Sequence, residues 1–352
     1  MTDRSGENVL LSCVGRRCYL GQWFREALGG SGLVVATDAD PTAPGLQVAD
    51  HAVVVPRVTD PAYLGTVLEL CRHFKVALVV SLNDLELPML ASARDVFAAQ
   101  GTHVLGADRL GVEACLDKLA TQDLAASLEL RYPTTFRDRA SARSWWRDRG
   151  YVGKMVVKPR WGTGSIGVEI VESGAELDAA WDLCEARVSR SIVGSMSVGE
   201  RGEWVIGQQC VAGAEYGLDV VNDLGGRFVC GFGRRKIAMR AGETDKAVVV
   251  VRQELDRIAS LLGQSIGHSG LVDCDLIEDE TGFVLLEINP RFGGGYPFSH
   301  LAGADIPRAF VAWMRGGTPE PQWLQVRPGV VGAKADHVVE ITARHDACTV
   351  EP

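Results

Sequence analysis

The chain has 352 residues and a formal net charge of −9, with 46% of its residues hydrophobic and 23% charged. These values are typical of a soluble globular protein with two or three domains and a large apolar core. The negative charge argues against a nucleic-acid-binding protein, which needs a basic face to neutralise phosphates, but it leaves room for a small basic pocket.

The first hundred residues alternate between strand-like and helix-like segments. Apolar runs predict strands over residues 9–13, 33–37, 52–55 and 76–81. Helical spacing predicts helices over residues 19–28, 61–74 and 85–100. Because such alternation indicates a parallel sheet with crossover helices, we predict an N-terminal α/β domain over residues 1–105.

The rest of the chain is richer in predicted strands than in helices. Helices are predicted over residues 253–262 and 307–314. The strands follow one another closely, so we predict an α+β arrangement with mostly antiparallel pairing. These strands are predicted over residues 155–158, 168–171, 204–208, 216–221, 228–232, 247–251, 271–277 and 283–288.

The nine cysteines form no C-x-x-C pair, so the sequence predicts neither a zinc site nor a disulfide framework. Free thiols at this density indicate a reducing compartment, and we expect a cytoplasmic protein. The N-terminal apolar run over residues 9–14 is too short for a signal peptide or a membrane span, so we expect no membrane partner.

The segment Leu-Leu-Glu-Ile-Asn-Pro-Arg over residues 285–291 carries the strongest chemical signal. Glu287 and Asn289 lie two residues apart on a predicted strand, so they point to one face of the sheet. A hairpin through the preceding turn would place Asp275 almost opposite Glu287. Two carboxylates and an amide oxygen on one face make an all-oxygen site suited to Mg²⁺. A polar strand end capped by proline explains the pattern equally well.

A second signal is Lys158, which ends a predicted strand and precedes a glycine-rich loop over residues 162–167. Glycines let backbone N–H groups approach phosphate oxygens. The loop is not a P-loop, because its lysine comes first, and a flexible hairpin turn is the alternative interpretation. The candidate phosphate contacts in this loop are Gly162, Thr163, Gly164 and Ser165.

Three further segments carry weaker signals. Residues 208–219 are predicted to form a strand, a turn and a second strand. Backbone groups at this turn can bind the edge of an adenine, and Glu215 can contact a ribose. An ordinary hairpin is the alternative interpretation. Lys118 begins a helix, a position where a lysine is usually solvated. The basic loop over residues 234–246 can bind phosphate or a carboxylate, or it is a charged surface loop.

Taken in this order, these residues resemble those of the ATP-grasp superfamily, and the resemblance covers nearly the whole chain. Residues 10–17, 55–60 and 291–300 look most like the branch around carbamoyl phosphate synthase domains and the pyrrolysine-pathway ligase. The resemblance implies an ATP-grasp fold behind an N-terminal pre-ATP-grasp domain. The implied parts are a main unit over residues 106–150 and 214–330, a lid over residues 151–213 and a tail over residues 331–352.

The resemblance also implies a role for each candidate residue. ATP contacts fall on the loop residues already named and on Lys118, Lys158, Lys236, Gln208, Gln209, Cys210 and Glu215. Ligands for two Mg²⁺ ions, or for Mn²⁺ in their place, fall on Asp275, Glu287 and Asn289. Catalytic roles fall on Arg291, Lys236 and Arg240, and Thr244, Tyr296 and His300 are pocket candidates, with a structural role for His300 equally open.

The activity implied by the resemblance is that of an ATP-dependent carboxylate–amine ligase with an acyl-phosphate intermediate. Its partners would be a small carboxylate, most simply an amino acid, and an amine, and a homodimer is the usual expectation. A dehydrogenase fits poorly, because the loop after the first strand lacks G-x-G-x-x-G. A non-catalytic nucleotide-binding subunit and a carbamoyl-phosphate-type phosphoryl transfer enzyme stay open.

Overall fold

The computed structural model describes residues 7–162, 166–197 and 199–342, which form three β-sheets and the helices packed on them. The apolar runs of the first hundred residues become the buried strands of a parallel sheet, which we call the N-terminal sheet. Its strands are β1 (Asn8–Ser12), β2 (Val34–Asp38), β3 (His51–Val54), β4 (Val76–Ser81) and β5 (His103–Val104). The helices between them are α1 (Cys18–Leu28), α2 (Tyr63–His73), α3 (Leu87–Ser92) and α4 (Arg94–Ala99).

The N-terminal sheet has the strand order β3-β2-β1-β4-β5, and all of its neighbouring strands are parallel. Helix α1 packs on it through Leu20, Phe24 and Leu28, which lie four residues apart and are buried. The order reverses between β1 and β4, so the carboxyl ends of these two strands open a crevice, which is the usual ligand-binding position in such sheets.

A short strand and two helices lead out of the N-terminal sheet: β6 (Gly106–Ala107), α5 (Arg109–Leu116) and α6 (Lys118–Ser127). Each helix begins at an aspartate whose side chain accepts a hydrogen bond from a first-turn N–H group. Asp108 accepts from the N–H of Gly111, and Asp117 accepts from the N–H of Leu119. These caps fix the start of α6, where Lys118 lies.

The next segment forms an antiparallel sheet, the middle sheet, with the order β7-β10-β8-β9. Helices α7 and α8 pack against it, and the indoles of Trp146 and Trp181 are buried in their shared core. The elements are β7 (Thr135–Phe136), α7 (Arg139–Arg147), β8 (Met155–Pro159), β9 (Glu169–Val171), α8 (Gly174–Arg190), α9 (Val193–Met196) and β10 (Val205–Gln209).

The remaining strands form the antiparallel C-terminal sheet, in the order β15-β14-β11-β12-β13-β16, and β6 pairs with the start of β14. Its strands are β11 (Ala214–Asn222), β12 (Phe228–Arg240), β13 (Glu243–Val250), β14 (His268–Asp279), β15 (Gly282–Asn289) and β16 (Val331–Ala333). The helices of this part are α10 (Gln253–Ser265), α11 (Tyr296–Leu301) and α12 (Ile306–Met314).

The structure confirms the predicted α/β and α+β organisation. It differs from the sequence predictions in several places, among them helices α7 and α8, which were not predicted from the sequence. The helix predicted over residues 85–100 is two helices, α3 and α4, which meet at Ala93. The segment over residues 234–246, predicted as a basic loop, lies in the hairpin of β12 and β13. The domain boundaries stay a prediction, although β16 adds residues 331–333 to the C-terminal sheet. Within the described ranges, no helix is both long and apolar enough to cross a bilayer.

Replacing either of two helical glycines by alanine should change the stability of the protein, in opposite directions. A Cβ at Gly111 of α5 would overlap the carbonyl oxygen of Ile266, whereas a Cβ at the exposed Gly65 of α2 would meet no atom within 4 Å. Ile266 follows directly after α10, so a side chain at residue 111 would push α5 away from the end of α10. We therefore expect Gly111→Ala to lower the free energy of unfolding by about 1–3 kcal/mol. We expect Gly65→Ala to raise it by roughly 0.5–1 kcal/mol through helix propensity. Urea denaturation of both variants measures the difference, and equal effects would contradict this contact.

Candidate active site

A cavity of about 470 Å³ has residues from all three parts of the structure in its wall. Arg17 comes from the loop after β1, and Lys158 comes from β8 of the middle sheet. The other charged lining residues come from the C-terminal sheet or directly follow it. They are Glu215, Arg234, Lys236, Glu243, Asp273, Asp275, Glu287 and Arg291.

Three of the five carboxylates that line this cavity, Asp273, Asp275 and Glu287, lie on the hairpin of β14 and β15. Asp275 is directly opposite Glu287, and Asp273 is directly opposite Asn289. The predicted hairpin pairing is therefore confirmed. The side chains of Asp275 and Glu287 are each 30% exposed, whereas Asn289 is buried. Asp275, Glu287 and Asn289 therefore line one cavity, and the two carboxylates are the more accessible to a ligand.

Two lysines neutralise these carboxylates. The Nζ atom of Lys236 on β12 lies 2.7 Å from Asp275 Oδ1 and 3.6 Å from Glu215 Oε2. Burial is the largest single influence on Lys236 and lowers its pKa, but the ion pair with Asp275, together with the nearby Asp273 and Glu215, outweighs burial and raises that pKa. The Nζ atom of Lys118 lies 3.4 Å from Glu287 Oε1. Each of the two carboxylates therefore has a lysine as its partner in the cavity region.

Lys158 is the basic group of the cavity that is least stable as a cation. Burial is the main cause and repulsion by Lys118 the second, and together they lower its pKa from 10.5 to about 7, although Glu287 and Asp275 oppose the shift. An anionic ligand would relieve both penalties, so Lys158 is suited to a phosphate.

Lys118 is held at the start of α6 by groups at the end of β8. Its Nζ atom donates a hydrogen bond to the carbonyl oxygen of Gly162, at 3.3 Å. The predicted phosphate loop therefore begins directly beside Lys118. The other predicted loop contacts, Thr163, Gly164 and Ser165, lie outside the described residues.

The predicted adenine hinge lies at the end of β10. The side chain of Gln208 is buried and donates to Thr135 Oγ1 at 2.8 Å. The N–H groups of Gln209 and Cys210 donate to the carbonyl oxygens of Thr134 and Lys154, at 2.9 and 3.1 Å. Because both N–H groups are already bonded within the protein, a nucleotide base at this hinge would have to contact other backbone groups.

Arg291 links the C-terminal sheet to the N-terminal sheet. Its Nη2 atom lies 2.6 Å from Asp84 Oδ2, just after β4, and 3.5 Å from Asn289 Oδ1. Arg17, which follows β1, donates to the carbonyl oxygen of Leu82. The crevice at the ends of β1 and β4 therefore faces the carboxylate hairpin and supplies part of the cavity wall.

Arg234 is a buried charge that the sequence analysis did not single out. It is 1% exposed, and its Nη1 and Nη2 atoms lie 2.7 Å from Asp219 Oδ2 and 2.5 Å from Asp273 Oδ1. Ser299 donates to the same Asp219 oxygen at 2.6 Å. The signal was present in the alternation of Arg234, Arg235 and Lys236, which puts the first and third side chains on one face of a strand.

Glycines leave room for this buried guanidinium and for its neighbours. A Cβ at Gly295 would overlap Arg234, and a Cβ at Gly293 would overlap Asp273. A Cβ at Gly294 would lie 3.1 Å from the carboxylate of Glu243. The three-glycine run over residues 293–295 therefore lies directly against the charged side chains.

Some predicted pocket residues lie elsewhere. Arg240 forms ion pairs with Asp245 at 3.0 Å and Asp336 at 2.7 Å and does not line the cavity, whereas Thr244 does. Tyr296 was a pocket candidate, but its buried hydroxyl donates to the carbonyl oxygen of Ala304 and accepts from the N–H of Ile306. His300 stacks on Trp23 with ring centroids 3.7 Å apart, which favours its structural role.

The residues of the carboxylate hairpin fit a magnesium–nucleotide complex better than a bare metal ion. Among the described residues, no group of three or more His, Cys, Asp or Glu side chains is arranged to hold a metal ion. Mg²⁺ is usually held by one or two carboxylates together with substrate phosphates and water. Asp275, Glu287 and Asn289 supply oxygen donors of that kind, and phosphates would have to supply the rest.

Two family models match separate parts of the chain. The model described as "PylC-like, N-terminal domain" matches residues 9–105, and the model described as "ATP-grasp in the biosynthetic pathway with Ter operon" matches residues 203–337. Among curated proteins, the chain is 32% identical over 155 residues to the formate-dependent phosphoribosylglycinamide formyltransferase of Synechococcus sp. (strain CC9311). That match covers 44% of this chain and 38% of that protein's length.

Solved structures share the fold over most of the chain. One is the biotin carboxylase domain dimer of 2-oxoglutarate carboxylase from Hydrogenobacter thermophilus, in complex with magnesium ADP and bicarbonate. Its TM-score is 0.72 at 14% sequence identity, and the match covers 92% of this chain and 73% of the carboxylase chain. Another is N5-carboxyaminoimidazole synthetase from Staphylococcus aureus, with a TM-score of 0.64 at 14% identity, covering 89% and 78%. At this identity the likeness establishes the fold, and it confirms the predicted ATP-grasp architecture.

The low pKa of Lys158 predicts unusual reactivity. We expect brief acetylation followed by peptide mass spectrometry to label Lys158 half-maximally near pH 7, because its neutral amine already forms there. Lys118→Met should raise that midpoint, since it removes the repelling ammonium.

Lys154 serves as the control for this labelling, because it is exposed and its ion pair with Glu172 raises its pKa. Its labelling should rise only at higher pH and should not respond to Lys118→Met. If Lys158 and Lys154 are labelled with the same pH dependence, the result would contradict the burial of Lys158 described here.

The buried position of Arg234 predicts a large loss of stability on its removal. Arg234→Met leaves Asp219 and Asp273 without their cation, so we expect the free energy of unfolding to fall by about 3–5 kcal/mol. Arg235→Met, at the exposed neighbouring position, should change it by less than about 0.5 kcal/mol. Guanidinium denaturation compares the two variants, and similar losses would mean that Arg234 does not bind the strands together.

Proposed function

We propose that the chain, which belongs to the ATP-grasp superfamily of ligases, is an ATP-dependent carboxylate–amine ligase. It would join a carboxylate to an amine through an acyl phosphate and release ADP and phosphate. One observation carries the proposal: Lys118, Lys158 and Lys236 converge on the Asp275–Glu287 hairpin, beside Arg291.

The three lysines support binding of a nucleotide triphosphate. Triphosphate oxygens would pair with Lys118, Lys158 and Lys236, and Mg²⁺ would be held by Asp275, Glu287 and Asn289. When bound, Mg²⁺ neutralises the charge that phosphoryl transfer develops on the phosphate oxygens. The half-exposed Glu215, 3.6 Å from Lys236 and on the same cavity, is in position for a ribose hydroxyl.

The chemistry proposed for the cavity needs no protein nucleophile. A carboxylate oxygen of the substrate attacks the γ-phosphorus, and the bond from that phosphorus to the bridging oxygen breaks to release ADP. The amine then attacks the acyl carbon, loses a proton, and expels phosphate. Arg291, held by Asp84, would stabilise the transferred phosphoryl group and the later oxyanion, so catalysis rests on positioning and charge.

The end of the cavity beside the N-terminal sheet supports an amino acid substrate. Arg17 and Glu243 both line this end, together with Thr244. Burial opposes ionisation of Glu243, but its hydrogen bond with Lys334, at 2.9 Å, and the nearby Arg17 lower its pKa. A guanidinium and a carboxylate therefore face the same space, and a zwitterion complements both charges.

The setting of the reaction is also a proposal. The dimeric biotin carboxylase domain with the same fold supports a homodimer. The eight cysteines among the described residues all carry free thiols, which supports a reducing compartment such as the cytoplasm.

Release of ADP in the presence of Mg²⁺-ATP tests the proposed function. Amino acids are offered singly and in pairs, and we expect a pair to stimulate ADP release and to give a product with the mass of both minus water. Glu287→Gln should abolish turnover, because it removes one anionic ligand and the partner of Lys118. ATP binding without turnover for every pair would favour the non-catalytic nucleotide-binding subunit.

Glu280→Gln is the control for this variant. Glu280 lies in the exposed turn between β14 and β15, so the substitution changes the same charge on the same hairpin, away from the cavity. It should keep wild-type turnover. Turnover retained by Glu287→Gln would remove Glu287 from the proposed site.

A further inference from the structure

A buried ion pair joins the end of β8 to the junction of α5 and α6. Arg160 donates from Nε to Asp117 Oδ1 at 2.8 Å and from Nη2 to Asp117 Oδ2 at 2.6 Å. The two side chains are 16% and 8% exposed. Such a two-point contact between a planar guanidinium and a carboxylate fixes orientation as well as distance.

Further contacts surround this pair. The N–H of Lys118 donates to the carbonyl oxygen of Arg160, and the Nζ atom of Lys118 donates to that of Gly162, each at 3.3 Å. The guanidinium of Arg160 also stacks over the ring of Trp161, 4.2 Å from its centroid. The start of α6 and the end of β8 are thus connected residue by residue.

Two electrostatic interactions disfavour the position of Lys118. Lys118 occupies the first turn of α6, where the helix dipole is positive and a cation is unfavourable. Lys118 also repels Lys158, which lies two residues before Arg160. The carboxylate of Asp117 compensates the helix dipole, and its contact with Arg160 opposes the separation of the two lysines.

We propose that Asp117 and Arg160 are a positioning pair that holds Lys118 and Lys158 at a fixed separation before a nucleotide binds. The part of this inference that concerns the nucleotide rests on the proposed function. Asp117 and Arg160 do not line the 470 Å³ cavity of the proposed site, although both line a neighbouring cavity of about 760 Å³. We infer that they act by fixing the middle sheet on the helix that carries Lys118. Its loss should weaken Mg²⁺-ATP binding more than it slows the chemical step.

Hydrogen exchange of the ligand-free protein tests the pair without any nucleotide. In Arg160→Met, amides over residues 155–162 and 117–121 should exchange at least tenfold faster than in the wild type. Asp117→Asn should give the same result, since asparagine still caps α6 but carries no charge. Arg160→Lys should recover part of the protection, because it keeps the charge and loses the second contact.

The matched control is Arg131→Met. Arg131 forms an equivalent pair with Asp279, with contacts of 2.8 and 2.6 Å, at the far end of the β14–β15 hairpin. This substitution should leave exchange over residues 155–162 unchanged. Faster exchange there in Arg131→Met, or unchanged exchange in Arg160→Met, would overturn the proposal.

Calorimetric titration with Mg²⁺-ATP supplies the second measurement. We expect the Kd of Arg160→Met and of Asp117→Asn to rise at least tenfold, with KM raised and kcat nearly unchanged once a substrate pair is known. Unchanged Kd despite faster exchange would overturn the positioning role. If the wild type binds no Mg²⁺-ATP, the proposed function fails, and the exchange result still decides whether the pair holds the two segments together.

Discussion

The candidate site depends on a guanidinium that is buried within the C-terminal sheet and paired with two carboxylates. Arg234 of β12 contacts Asp219 of β11 and Asp273 of β14, and Asp219 accepts a further hydrogen bond from Ser299 of α11. Removal of one partner from a buried charge pair is strongly destabilising, so Arg234 and its two aspartates hold these strands together. Because Asp273 pairs in register with Asn289, this arrangement sets the position of the carboxylate hairpin, and the site lies on rigid strands rather than on loops.

The surface of the cavity is already neutralised in the ligand-free protein. Lys236 is paired with Asp275, Lys118 with Glu287, and Arg291 with Asp84. Under the proposed function, phosphates and a divalent cation would enter by an exchange of partners, in which the lysines turn to phosphate and the cation replaces them on the carboxylates. Lys158 differs from this pattern, because its ammonium is destabilised until an anion arrives.

The sequence predicted the parts of this site that depend on local spacing. The two-residue period of a strand and the length of one turn were enough to place Asp275 opposite Glu287. Contacts between distant segments could not be predicted, such as that between Asp84 and Arg291, because nothing local relates them. Resemblance assigned a role to Lys118, but its hold on Gly162 required the fold.

Arg234 was missed for a different reason. The density of charged residues over 234–246 favours a loop in the sequence, whereas the segment lies in the hairpin of β12 and β13, where Arg234 is buried and Arg235 is exposed. The hinge shows the same limit: the sequence located residues 208–210 but could not show which N–H groups the neighbouring strands already use. Burial and pairing decide both cases, and neither is a property of one segment.

The three-glycine run bears on how the enzyme can evolve. Residues 293, 294 and 295 each face a different charged side chain, Asp273, Glu243 and Arg234 respectively. At residues 293 and 295 a larger residue would overlap a charged side chain, and at residue 294 it would press against one, so we expect substitutions along this run to be poorly tolerated. Arg17, by contrast, joins the cavity wall from the loop after β1, outside the C-terminal sheet. Under the proposed function, changes to the loop that carries Arg17 would therefore alter one part of the cavity wall while the glycine run and the charged side chains against it stay in place.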